Sequence, residues 1–276
     1  MPPAGIPTLL GAPFDAASSF RRGAAAGPQA IRAALRSPAG NWWTEGLVDL
    51  GADGALVDAG DVDVADATPA QVRARIEESV GRVLDAGGAP LVLGGDHSIT
   101  YPVLRAVAQR HSKLTVLHID AHPDLYDVFE GDRYSHACPL ARVLEEGLVE
   151  RLVQVGIRTA TGAQRAQLER FAVHAIDMRG WAGGQRPEIG GPVYLSIDLD
   201  GLDPAHAPGV AHPEPGGLTT RDVIGLVQGL SGPVVGADVV ELNPELDVRG
   251  LTAIVGAKLI KELAGRMHAT AGGRGG

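Results

Sequence analysis

The chain has 276 residues with 24 basic and 33 acidic side chains, a formal net charge of −9. That balance, with no basic block, argues against nucleic acid or an anionic membrane as partner and favours a small cation. A single cysteine, Cys138, excludes an internal disulfide framework; the start "MPPAGIPTLL" lacks the basic flank and apolar run of a secretory leader, and a cytoplasmic protein is expected.

From the N-terminus, the first strand-like run is "PTLLGAP" (7–13), and Gly27-Pro28 then opens a helical "QAIRAALRS". "ALVDAGDV" (55–62) reads as a second strand. Thr68-Pro69-Ala70-Gln71 supplies an N-cap, a first-turn proline and a capping box, and Gly87-Gly88 closes that helix. Strands follow at "APLVLGGD" (89–96), "LTVLHIDAH" (114–122), "RLVQVGI" (151–157), "VHAIDM" (173–178), "PVYLSIDLD" (192–200) and "PVVGADVVEL" (233–242). Thr219 or Thr220 can cap "RDVIGLVQGL". The last helix, "LTAIVGAKLIKELAGRM", leads into "ATAGGRGG", a frayed end with 271–276 expected to be a disordered tail. Neither a linker nor a fixed-period repeat interrupts this order, so one domain over 1–276 is expected. Near-continuous apolar strands alternating with helices predict an α/β protein with a parallel sheet covered on both faces. An eight-stranded barrel of βα units fits the length as well.

Both architectures gather their chemistry at the C-terminal ends of strands. The sequence places Asp96 and His97, then Asp120, His122 and Asp124, then Asp198 and Asp200, and finally Glu241 at such ends. If extended backbone persists, residues two apart share a face, and Asp120, His122 and Asp124 converge. Asp96, Asp203 and Asp238, taken singly, read as caps or turn formers. The remaining acids together do not: carboxylates in that number, once buried, require cations. Four of them balance two divalent ions, and with His97 and His122 they make six side chains. An oxygen-dominated set with some imidazole suits manganese, with iron, nickel, cobalt or zinc as substitutes. Two such ions can activate a water near neutral pH, which is the chemistry of a hydrolase.

"GGDHS", "DAHPD" and "SIDLDGLDP" resemble the three signature segments of the ureohydrolases, the arginase and agmatinase family. "SSFRRGAAAGPQAIRAAL", "RYSHACPLARVLEEG" and "APGVAHPEPGGLT" follow in that family's order, in a form most similar to plant-type arginases. The resemblance implies a three-layer αβα sandwich around an eight-stranded parallel sheet and decides against the barrel. It implies two Mn2+ per subunit, a homotrimer or homohexamer, and a cationic guanidino substrate. One ion would be held by His97, Asp120, Asp124 and Asp198, the other by Asp120, His122, Asp198 and Asp200. It also implies that His136, in "YSHA", moves protons, that Asp124 orients the nucleophile and relays its proton, and that Glu241 holds the guanidinium.

Two departures bear on substrate. The loop "LYDVFEGDRYS" lacks the Asn- and Ser-rich pattern with which animal and bacillus-type arginases read a carboxylate, and Thr159-Ala160-Thr161 replaces the acids they place after the next strand. The missing groups favour agmatine; the plant-type likeness favours L-arginine, which is placed ahead. Arg133, or a backbone amide near Ser18 and Ser19, is then expected to meet the substrate carboxylate. Two other classes, a binuclear metallophosphoesterase and an inactive metal-stabilised scaffold, compete with this reading. The first would want cationic groups for phosphate, and the second would be expected to have lost ligands.

Overall fold

The computed structural model describes residues 5–272. Eight strands, β1 (Ile6–Ala12), β2 (Val57–Asp61), β3 (Gly88–Gly94), β4 (Thr115–Ile119), β5 (Arg151–Ile157), β6 (His174–Asp177), β7 (Val193–Asp198) and β8 (Val234–Val240), form one sheet among the described residues. Its order is β2-β1-β3-β8-β7-β4-β5-β6, and every pairing is parallel. The central strands are buried along their whole length, which is why they read as apolar runs rather than as alternation.

Helices cover both faces. α1 (Gly27–Leu35), α6 (Met178–Ala182), α7 (Thr220–Gln228) and α8 (Leu251–Gly272) enclose a core that includes Ile31, Leu91, Ile197, Val223 and Leu259. α2 (Pro69–Asp85), α3 (Thr100–Ala108) and α4 (Pro139–Glu145) enclose the other, with Ile76, Val92, Leu104 and Leu140. α5 (Gly162–Arg170) follows β5. This is the three-layer sandwich, not the barrel.

The punctuation works as the sequence implies. Thr68 and Gln71 form a reciprocal capping box at α2, and Thr161 with Gln164 and Thr219 with Asp222 repeat it at α5 and α7. Gly87, at φ 79°, turns the chain from α2 into β3. α8 runs on to Gly272, so residues 269–272 continue the helix that was expected to fray. Residues 273–276 of the expected tail lie outside the described residues. No helix among the described residues is long and apolar enough to cross a membrane.

Candidate metal centre

β3, β8, β7 and β4 are neighbours, and their C-terminal ends deliver the acids and histidines to one place. β4 stops at Ile119, earlier than the sequence pattern suggests. Asp120, His122 and Asp124 therefore converge through a tight turn rather than along an extended strand. The His122 N–H donates to Asp120 Oδ1 at 2.6 Å, and Asp124 takes a left-handed backbone at φ 50°. At β7 the chain tightens into a single 3-10 turn over Leu199–Gly201, where the Asp200 N–H donates to Asp198 Oδ1 at 2.7 Å. Two glycines admit this crowding. A Cβ on Gly201 would lie 2.8 Å from the Asp120 nitrogen, and one on Gly156, at φ +100°, would lie 2.9 Å from the Asp120 oxygen.

The ligand atoms fall into two groups that share one carboxylate. His97 Nδ1 lies 3.3 Å from Asp120 Oδ2, 3.0 Å from Asp124 Oδ2 and 3.1 Å from Asp198 Oδ2. His122 Nδ1 lies 3.3 Å from Asp120 Oδ1 and 3.2 Å from Asp200 Oδ2. Asp120 thus turns one oxygen to each histidine. Burial, then repulsion from neighbouring carboxylates, pushes Asp198 well up and Asp200 to about 7. Burial presses the His97 and His122 imidazoliums down, but the surrounding carboxylates outweigh it and raise both, His122 to about 12. The buried His97 Nδ1 and Asp120 Oδ2 meet no hydrogen-bond partner of proper geometry. Four carboxylates and two imidazoles aimed inward, with orphaned atoms between them, fit a pair of divalent cations.

Behind the ligands stands a supporting network. Ser196 Oγ is 2.9 Å from His97 Nε2 and donates to Asp238 Oδ1 at 2.7 Å. Tyr194 and Thr100 donate to the other oxygen of Asp238 at 2.7 and 3.0 Å. These contacts occupy Nε2 of His97 and turn its Nδ1 to the carboxylates, the usual way an outer partner orients a ligand imidazole. Ser196→Ala should weaken metal binding by about 10–100-fold without unfolding the chain. Metal titration of the variant checks this, and unchanged affinity would reduce the network to packing. His118 Nε2 sits 2.9 Å from Asp120 Oδ2, close but off the line of a hydrogen bond. The Gln154 amide nitrogen donates to the Pro123 carbonyl at 2.7 Å and lies 3.0 Å from His118 Nδ1. That leaves the His118 proton on Nε2, turned toward Asp120 Oδ2 without a hydrogen bond between them.

The pocket above this floor has a cavity of about 150 Å³, lined among others by Asp124, Asp198, Asp200, His136, His212 and Glu241. Glu241, at φ 65°, accepts the His97 N–H at 2.9 Å and faces His136 Nδ1 at 3.2 Å. His136 Nε2 meets the Ser19 hydroxyl at 2.9 Å. Burial pushes the Glu241 carboxyl up, yet the His136 hydrogen bond outweighs it and holds the group below its ordinary value. The same pair raises His136 to about 9, against the opposing effect of burial. The His212 ring stacks on His136 at 5.2 Å between centroids and lines the same cavity.

The arginase family model matches residues 7–265. The chain belongs to the arginase family. The mitochondrial arginase of Medicago truncatula is 45% identical, with 94% of this chain and 81% of that protein covered. The mitochondrial agmatinase of Gallus gallus is 40% identical over 92% and 79%. The solved arginase from Medicago truncatula superposes with a TM-score of 0.91 at 43% identity, covering 96% of this chain and 88% of that one. These relatives overturn the expected cytoplasmic location, since both curated proteins are named mitochondrial and point to an organelle.

Within this member of the arginase family, several residues expected near the substrate lie elsewhere. Arg133 donates to Asp127 at 2.7 Å and to Glu145 at 2.9 Å, so its guanidinium is already engaged by acids at the surface. It is not among the residues that line the cavity described above. The Ser18 N–H donates to the Asp15 carbonyl at 3.2 Å and its hydroxyl approaches Asp96 at 3.4 Å; Ser19 alone of that pair lines the cavity. Asp96 caps the 3-10 turn at His97–Ile99, and Asp203 accepts three backbone N–H groups, as turn formers do. Asp238 departs from that reading: it is fully buried inside β8, neither cap nor turn. Cys138 is buried and its thiol is pushed up to about 12 by burial, consistent with packing. Arg158, which precedes Thr159-Ala160-Thr161, is given no role by the sequence. Its guanidinium is spent on the carbonyls of Gly156, Asp200, Gly201, Leu202 and Glu214, which ties the His212 loop to the turn carrying Asp200.

Proposed function

We propose that the protein is a binuclear manganese ureohydrolase that cleaves the terminal guanidinium of L-arginine to urea and L-ornithine, acting as a homotrimer or homohexamer. The observation that carries the reading is Asp120, whose two oxygens face two separate histidine groups on the floor of one pocket. His97, Asp120, Asp124 and Asp198 would hold one ion, and Asp120, His122, Asp198 and Asp200 the other. Bound there, a pair of divalent ions supplies Lewis acidity and a water of lowered pKa.

The chain's own groups do the rest. Glu241 is a buried carboxylate in the cavity wall, and it offers a planar guanidinium its counter-charge. The low pKa of Glu241 keeps that charge available at neutral pH. Asp124 accepts a proton during attack and returns it to the departing amine nitrogen. His136, held between Ser19 and Glu241, keeps its proton at neutral pH and exchanges it with solvent between turnovers. Glu241, outside the ligand set, favours a cationic substrate, and the residues lining the cavity include no Lys or Arg to meet a phosphate ester.

Urea release from L-arginine, agmatine and 4-guanidinobutyrate by manganese-loaded protein, alongside a phosphatase assay and metal analysis, tests the reading. Urea with two ions per chain is expected. Phosphatase turnover, or no turnover with full metal, would replace it by one of the two rival classes.

A further inference from the structure

Two polar side chains stand in the buried heart of the sheet with no part in the chemistry above. His118 on β4 and Gln154 on β5 are both wholly buried, and the parallel register makes them direct neighbours. Their companions along each strand are apolar, Leu117 and Ile119 on one, Val153 and Val155 on the other. A buried imidazole and amide in that setting cost stability unless they are paired or put to use. His118 stands where a metal ligand would. Its Nε2 lies 2.9 Å from Asp120 Oδ2, and ligand atoms of His97, His118 and Asp120 fall within 4.8 Å of one another. Among the described residues, His97 Nδ1, His118 Nε2 and Asp120 Oδ2 are all buried without a hydrogen-bond partner. By position alone, a third imidazole belongs to the centre.

Its tautomer keeps it out. The Pro123 carbonyl can only accept, so the end of the Gln154 amide that meets it at 2.7 Å is the nitrogen. Turned over, the amide would set two oxygens against each other. The same NH2 group meets His118 Nδ1 at 3.0 Å, which makes Nδ1 an acceptor and leaves the proton of the neutral ring on Nε2. A ring nitrogen that carries a proton has no lone pair to give a metal. We propose that Gln154 sets the metal choice: by holding the His118 proton on Nε2, it bars a third imidazole from the centre and tilts the balance of affinities toward manganese and away from zinc. With His118 excluded, the ligands remain four carboxylates and two imidazoles, an oxygen-dominated set that suits manganese. A further imidazole would favour zinc, nickel or copper. Gln154 is thus a positioning residue, acting through His118. This rests on the two-metal reading and adds the choice of ion, which that reading leaves open.

Exchange of zinc for manganese on the full chain tests this, read as bound metal and not as urea. In Gln154→Glu a carboxyl oxygen replaces the amide nitrogen, takes the Nδ1 proton of His118 and frees Nε2; in its acid form it can still donate to Pro123. The zinc-to-manganese affinity ratio should then rise about 10–100-fold over wild type. Gln154→Leu, which removes the donor and adds no charge, should move the ratio the same way by less. Adding His118→Phe to Gln154→Glu should bring it back to the wild-type value. An unchanged ratio in both Gln154 variants, or a rise that survives His118→Phe, would overturn the assignment. The unmutated protein gives a check that no folding defect can blur. Loaded with zinc, which is diamagnetic, it should show by nitrogen NMR a His118 ring with its proton on Nε2 and a bare Nδ1. A proton on Nδ1, or a metal-bound Nε2, would overturn the assignment as well. A protein that binds neither ion would sink the two-metal reading and this assignment with it. The expected ratios with no urea from any guanidine would instead sink the ureohydrolase reading and leave the metal choice standing.

Discussion

Asp120→Ala should abolish urea release and strip the protein of both metals. Asp120 is wholly buried, and among the described residues it is the one carboxylate whose two oxygens each approach a different histidine. Its removal leaves His97 and His122 facing the remaining acids with neither group complete. The expected fall in kcat/KM is about 10³-fold or more, or roughly 4 kcal/mol of transition-state stabilisation. His97→Ala, by contrast, should chiefly empty one position. Metal analysis beside the urea assay separates these cases. An Asp120→Ala protein that keeps two ions at wild-type turnover would end the shared-ligand account.

Glu241→Gln should leave metal content intact and cut turnover by about 10–100-fold, since a charge-assisted contact is worth roughly 1.5–3 kcal/mol. The amide keeps the shape and can still accept the His97 N–H, so the turn at φ 65° is undisturbed. A second readout is the pH profile. Glu241 raises His136 to about 9. The sign is fixed by which form works: protonated His136 is present below its pKa and lost as pH rises through it. Without the Glu241 charge that pKa falls, so the alkaline limb of activity should move to lower pH. An unmoved limb with unchanged kinetics would make Glu241 a structural cap.

Much of this site was legible because the chemistry is local in sequence. The acids and histidines sit at strand ends, and their number alone demanded cations. His118 belongs to the same every-second-residue series as Asp120, His122 and Asp124, and that spacing was the signal that could have found it. Its role could not be read from the spacing. It depends on Gln154 from the neighbouring strand, which decides where the imidazole proton sits. The series also misled, since β4 ends at Ile119 and Asp124 arrives through a left-handed turn. Arg133 was placed beside the substrate for a similar reason. A free arginine in a loop invites a substrate role, but Asp127 and Glu145 claim it only once α4 packs against the loop. Asp238 looked like an isolated acid because its partners, Tyr194, Ser196 and Thr100, come from other elements.

The strand order carries a consequence for how the chain is made. β3 and β4 follow one another in sequence, yet β8 and β7 lie between them in the sheet. His97 and Asp120 can therefore take up their final separation only after residues 193–240 have been synthesised and inserted. Insertion of late strands into the middle of a parallel sheet closes long loops before any pairing is gained, which is slow. A nascent chain still lacking β7 and β8 holds four of the six ligand side chains, with unpaired edges on β3 and β4 exposed for aggregation while it waits. Metal uptake and completion of the sheet should accordingly occur together, late, in a single concerted step of refolding.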